Sequence, residues 1–203
     1  MKFVSKAISY IFHPLLSIMY ALLIVLYPFG YLATRNSQLQ TITFSVVFVI
    51  SFVLPVLFIA SLRYFSIIQS LKMSLRQDRY LPYFSISVYY LFIWFIIQSE
   101  SFFDPVVAKT FLLSGLLLVL VFVLNFWVKI SAHTLSACTI LGMVLRLVYY
   151  YNETNQLFLL LCCILISGFI ATSRLYLKAH TFKEVFAGFV FGLVLGLIFP
   201  SFL

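Results

Sequence analysis

The chain has 203 residues, 64% of them hydrophobic and 9% charged, with a mean hydropathy of +1.15. So little polar surface cannot cover a water-soluble globule of this size, which excludes a soluble domain. The net charge of +8, from 13 basic and 5 acidic residues, would suggest nucleic acid in a soluble chain. Here the basic residues fall in short connections between apolar runs, so phosphate groups or lipid headgroups are the expected partners, with no nucleic acid.

Taken in order, apolar runs long enough to cross a bilayer core of ~30 Å occur at 8–32, 42–62, 83–99, 106–128, 135–151, 156–172 and 182–203. They are apolar on every side and do not alternate, which predicts helices and almost no strand. The expected fold is all-α, a polytopic transmembrane bundle of six to seven helices. The first run follows Met1–Lys6, is longer than a signal-peptide core and lacks a small-residue cleavage site, so it reads as a retained helix. No linker, low-complexity tract or repeat divides the chain, which predicts a single membrane-embedded domain over residues 1–203. Cys138, Cys162 and Cys163 lie inside apolar runs without disulfide or zinc spacing and read as packing residues.

Most connections hold only turn residues. Three others, 63–82, 129–134 and 173–184, carry Arg63, Lys72, Arg76, Asp78, Arg79, Lys129, Ser131, His133, Ser173, Arg174, Lys178, His180, Lys183 and Glu184. Two crossings separate the first of these from the second, and two separate the second from the third, so all three are expected on one membrane face. Two histidines, a carboxylate, cations and a serine hydroxyl suit a phosphoester. Cations and helix N-termini neutralise phosphoryl oxygens, one imidazole attacks phosphorus and the other protonates the leaving oxygen, with no metal or other cofactor needed.

The spacing of these residues resembles a known family. Lys72 stands six residues before Arg79; Ser131-Ala132-His133 follows; then Ser173-Arg174 precedes His180 by five residues, and Glu184 comes three residues later. This is similar to the type 2 phosphatidic acid phosphatase superfamily, which includes the vanadium haloperoxidases, and in particular to its integral-membrane bacterial type. The family pattern is lysine, six residues, Arg-Pro; Ser-Gly-His; and Ser-Arg, five residues, His, three residues, Asp. The chain departs from it at Tyr80 in place of proline, Ala132 in place of glycine and Glu184 in place of aspartate.

The resemblance implies His180 as the nucleophile of a phosphohistidine intermediate, Glu184 as the carboxylate on its other ring nitrogen, and His133 as the general acid. Lys72, Arg79, Ser131, Arg174 and the backbone N–H groups near Ala132 would hold the phosphoryl oxygens. The implied function is metal-independent dephosphorylation of a lipid phosphate or isoprenoid pyrophosphate by an integral protein of a bacterial cytoplasmic membrane. A lipid phosphotransferase, or a non-catalytic transporter or scaffold with a degenerate phosphate site, is the alternative. Oligomeric state is left open.

Several residues have plainer readings. Thr181 and Glu184 form a T-x-x-E capping box, so the carboxylate could serve only the helix start. Arg63, Lys178 and Lys183 read as lipid-facing anchors, Arg76 and Lys129 as contributors to the positive field, and Asp78 as a local partner of one of these cations. His13, followed by Pro14 inside the first run, reads as a packed or interfacial residue outside the site. Arg146 reads as structural, snorkelling towards Asn152 and Glu153. Gly188, Gly192 and Gly196 recur every fourth residue; helix packing inside the molecule is favoured over dimerisation.

With seven crossings the N-terminus shares the site face and the C-terminus lies opposite. Ten of the 13 basic residues then fall on the site face and three opposite. The positive-inside rule thus favours a cytoplasmic site. The bacterial members of the family commonly place theirs outside, and both orientations stay open.

Overall fold

The computed structural model describes residues 2–26, 37–71, 73, 75–151 and 156–198, and every regular element among them is helical. The helices are α1 (Lys2–Ile11), α2 (Ser17–Leu26), α3 (Ser37–Phe48), α4 (Leu54–Tyr64), α5 (Tyr80–Ile97), α6 (Pro105–Leu124), α7 (Ala132–Tyr151), α8 (Leu157–Tyr176) and α9 (Phe182–Ile198). Six described segments are long and apolar enough to cross a membrane: Lys2–Ile24, Gln38–Tyr64, Gln77–Ile97, Pro105–Leu124, Ala132–Tyr149 and Leu157–Tyr176. The chain is an integral membrane protein. The 17 described residues of α9 rise about 25 Å, and residues 199–203 lie outside the described part.

Helix ends differ from the hydropathy boundaries wherever polar chemistry sets them. The first run is broken: α1 begins at Lys2, not at residue 8, and stops before His13, whose ring Nδ1 accepts the Leu15 N–H at 3.3 Å to start a short 3-10 turn at Pro14–Leu16. Its last part, 27–32, lies outside the described residues. Helix α5 begins at Tyr80, three residues ahead of the predicted start, because Pro82 falls in the first turn, where a missing N–H costs no bond. Helix α6 is capped by Asp104, whose Oδ1 accepts the Val106 N–H at 3.0 Å.

The described residues form two compact units. One comprises residues 18–127. Within it the second membrane segment passes from α3 through a π-helical turn at Val49–Val53 into α4. Pro55 has no N–H to return to the preceding turn, and Tyr89 and Tyr90 of α5 donate their hydroxyls to the carbonyls of Ile50 (3.0 Å) and Ser51 (2.6 Å). An apolar groove of about 330 Å³ beside this turn is lined by Leu54, Pro55, Phe58, Ser85, Ile86 and Tyr89. Helices α5 and α6 pack together, with Tyr90 edge-on to Phe111 at 5.6 Å.

The other unit comprises residues 1–17 and 128–203, in which α7 packs against both α8 and α9, and α1 packs on α8. The every-fourth-residue glycines of α9 face α7. A Cβ on Gly188 would lie 2.9 Å from the Ser131 carbonyl oxygen; one on Gly192 would meet the Leu135 carbonyl, and one on Gly196 the Thr139 carbonyl. From the opposite side, a Cβ on Gly142 of α7 would meet the Leu193 carbonyl. The stripe is a seam inside one chain, as the sequence favoured. Arg146 sits with its guanidinium carbon 5.9 Å from the Tyr149 ring centroid, one turn along α7. Asn152 and Glu153, its expected direction of approach, lie outside the described residues.

Candidate active site

The start of α9 is built by two residues that hold each other. Thr181 precedes the first helical residue and its hydroxyl accepts the Glu184 N–H at 3.4 Å, while Glu184 Oε2 accepts the Thr181 N–H at 3.3 Å. This is a reciprocal capping box. The same Oε2 accepts the Nδ1–H of His180 at 2.7 Å, with the imidazole side chain 3% exposed and the carboxylate 18%. Capping and imidazole orientation are therefore one arrangement, not alternatives. Donation through Nδ1 leaves the lone pair of the neutral ring on Nε2.

The five residues between Arg174 and His180 make a helix stop. Helix α8 ends at Tyr176, and Lys178 adopts a left-handed conformation (φ 51°). The Lys178 N–H bonds to the Leu175 carbonyl at 2.9 Å and the Ala179 N–H to the Arg174 carbonyl at 3.1 Å. This paired closure reverses the chain within four residues, so that the last turn of α8 and the first turn of α9 meet at one end of the unit. The hydropathy boundary at 172 misses this turn because it is polar. It carries Ser173, which is buried, and Arg174.

Ser131, fully buried, caps α7 three residues ahead of the predicted start. Its Oγ accepts from the Thr134 N–H at 3.4 Å and the Thr134 hydroxyl at 3.0 Å, which still leaves it a proton to donate. Its backbone N–H donates to the Glu184 carbonyl at 3.3 Å, tying the second sequence element to the third. Ala132 is the first residue of α7 and has no positive φ, so its methyl group is accommodated where the family has glycine. His133 follows in that first turn, within electrostatic range of both Arg174 and His180.

Two residues that the sequence did not assign to the site complete it. Ser9 of α1 accepts the Nε2–H of His133 on its carbonyl oxygen at 3.1 Å, and its hydroxyl accepts an N–H from Arg174 Nη1 at 3.2 Å. His13, read from sequence as lying outside the site, stands edge-to-face with His133, ring centroids 5.5 Å apart. No spacing rule could have placed Ser9, which meets its partners across 124 and 165 residues of chain.

Ser131, His133, Arg174, His180 and Glu184 thus gather at one end of a single helical unit. Residues 124–203 match the family model described as the PAP2 superfamily. This segment is similar to the PAP2 superfamily. The match bears out the resemblance read from the motifs, and the superfamily it names is phosphatase-related. No curated protein and no solved structure matches the chain.

The remaining sequence candidates lie ahead of the PAP2 segment. Arg79 closes a 3-10 turn at Gln77–Arg79, is 6% exposed, and donates Nε–H to the Met73 carbonyl at 2.8 Å. Lys72 lies outside the described residues. Asp78 Oδ1 accepts the Gln69 N–H at 3.0 Å and so fastens the turn that follows α4. Arg76 donates to the Phe126 and Trp127 carbonyls at 3.3 and 2.9 Å, closing the end of α6. Tyr80, where the family has proline, stacks on Phe126 at 5.0 Å, which gives the departure a packing role.

Proposed function

We propose that this protein removes phosphate from a lipid phosphate or isoprenoid pyrophosphate at the surface of a bacterial cytoplasmic membrane, without a metal ion and through a phosphohistidine, with residues 1–203 acting as one phosphatase domain. The observation that carries the reading is the His180 Nδ1–Glu184 Oε2 bond of 2.7 Å inside the PAP2 segment. A carboxylate on Nδ1 directs the lone pair to Nε2 and stabilises the positive charge that develops when that nitrogen attacks.

In the proposed reaction the Nε2 lone pair of His180 forms a bond to phosphorus as the bond from phosphorus to the leaving oxygen breaks. His133 delivers a proton to that oxygen. Water then attacks phosphorus, His133 takes a proton from it, the phosphorus–nitrogen bond breaks, and inorganic phosphate leaves. Arg174, the Ser131 hydroxyl and the backbone N–H groups at the start of α7 are assigned to the phosphoryl oxygens. Lys72 and Arg79 are assigned to them on the lysine–arginine spacing.

Phosphate release from a panel of lipid phosphates in detergent tests this. Activity is expected to persist in EDTA and to fall with vanadate, which resembles the five-coordinate transition state. His180→Ala is expected to lower turnover by roughly a thousandfold or more while substrate binding persists. Glu184→Gln keeps the shape but not the charge and is expected to lower turnover less. Near-normal turnover by folded His180→Ala would eliminate the site, and magnesium-restored activity after chelation would eliminate the mechanism.

A further inference from the structure

Helix α1 turns a polar edge into the protein. That edge is formed by Ser5, 8% exposed, with Ser9 one turn on, while Phe3 is 83%, Tyr10 72%, Val4 57% and Ile11 55% exposed. In a segment that crosses the bilayer the apolar residues face lipid, and an inward serine edge marks a polar contact with neighbouring helices. What the serine edge meets is the candidate site, where the carbonyl of Ser9 receives His133 and its hydroxyl receives Arg174.

We propose that Ser9 is a positioning residue for the phosphatase reaction, acting on both the general acid and the phosphate-binding arginine; this rests on the roles given above to His133 and Arg174. A carbonyl oxygen can only accept, so the contact at 3.1 Å keeps a proton on His133 Nε2. The acid is then the imidazolium form of His133, whose second proton is on Nδ1. When it acts, that Nδ1–H bond breaks, the proton passes to the leaving oxygen, and the ring returns to the neutral Nε2–H tautomer already held by Ser9, with Nδ1 ready to take the proton of the attacking water. The imidazole does not need to turn over during the cycle.

The hydroxyl of Ser9 is directed as well. It donates to the Ser5 carbonyl at 2.9 Å, so the side it presents to Arg174 is a lone pair. That contact fixes the orientation of the guanidinium that the proposed reaction assigns to the phosphoryl oxygens. His13 adds a wall. Its Nδ1 is occupied by the Leu15 N–H, and its ring packs edge-to-face with His133, limiting the rotation of that imidazole.

Steady-state kinetics of full-length Ser9→Ala and Ser9→Thr in detergent, with a diacyl phosphatidic acid and an activated aryl phosphate, test the hydroxyl. Thermal unfolding of each variant and the His180→Ala variant are run beside them. Ser9→Ala is expected to raise KM about tenfold for both substrates with kcat little changed, since a hydrogen bond that orients a ligand is lost and the acid is not. Ser9→Thr is expected to recover most of that loss. Histidine-selective 15N spectra, assigned with His133→Asn, test the carbonyl: neutral His133 is expected as the Nε2–H tautomer. Unchanged KM in Ser9→Ala, a loss not recovered by threonine, or an Nδ1–H tautomer would overturn the proposal. If His180→Ala is inactive in those same assays, the phosphatase reading survives that failure; if His180→Ala is active, it is the reading itself that falls.

Discussion

Helices in residues 128–203 meet along a seam of missing side chains, whereas in residues 18–127 tyrosine side chains reach across to the backbone of another helix. The three glycines of α9 bring its backbone against the Ser131, Leu135 and Thr139 carbonyls of α7. In the other unit Tyr89 and Tyr90 reach across to carbonyls beside Pro55 and the π-helical turn. The difference follows from what each interface positions. The Ser131 N–H bonds directly to the Glu184 carbonyl, so the start of α7 and the start of α9 must agree to within a hydrogen bond, and a backbone seam permits little slip. The tyrosines mend a local break in one helix, and their long side chains tolerate more variation in helix spacing.

Substitutions in the seam should have the largest effect. A leucine at Gly192 would drive its Cβ into the Leu135 carbonyl and crowd Cys138 Cβ at 3.1 Å, and neither backbone can retreat without losing the contacts above and below. Gly192→Leu is expected to abolish recovery of folded protein, and Gly192→Ala to destabilise by about 1–3 kcal/mol. Gly168 of α8 is the control: a Cβ there meets nothing within 4 Å, so Gly168→Ala should be neutral or stabilise by up to about 1 kcal/mol. Thermal unfolding in one detergent compares all three. Equal tolerance at positions 192 and 168 would remove the seam as the determinant of the site end.

A smaller effect is expected in the aromatic interface. Tyr90→Phe leaves the Ser51 carbonyl, at a fully buried residue, without its 2.6 Å donor, and should cost about 1–3 kcal/mol. Pro55, four residues on, has no N–H to offer this carbonyl in an α-helical register. Restoring one with Pro55→Ala should therefore reduce the cost of Tyr90→Phe, a coupling that a double-mutant cycle reads directly. Strict additivity of the two substitutions would show that the tyrosine and the proline answer to different constraints.

What could be read from sequence follows the same division. The helical class, the third motif and the inward glycine stripe depend on near neighbours in the chain, through hydrophobic runs, fixed spacings and a four-residue repeat, and each was legible. Helix ends were shifted where a polar residue does the capping: Ser131 moves α7 forward to Ala132, and the polar turn through Arg174 carries α8 on to Tyr176. The wall made by α1 was not legible. His13 was judged by its neighbours in sequence, yet its ring packs against that of His133, a contact that exists only after α1 has docked.

The smallest effect predicted is at Lys178, which sequence assigned to the lipid surface by its charge. Its backbone suggests a second reason for attention, since a φ of 51° at the close of α8 is the position where glycine is ordinarily found. A lysine held there is strained by about 1–2 kcal/mol relative to glycine, partly offset by the greater freedom glycine has when unfolded. Lys178→Gly is thus expected to stabilise by about 0.5–1 kcal/mol, and Lys178→Asn, which removes the charge but tolerates the conformation, to be nearly neutral. Lys178→Ile should act in the opposite direction, because a β-branched residue resists this region. It should also lower turnover, since the reversal at 177–179 sets the path from Arg174 to His180. Unfolding temperatures ranked Gly, Asn, Lys and Ile from highest to lowest would identify conformation as the constraint. A ranking by charge, with glycine and asparagine alike and both below lysine, would return Lys178 to the role of a headgroup anchor and leave the Arg174–His180 spacing to be explained by packing of α8 and α9 alone.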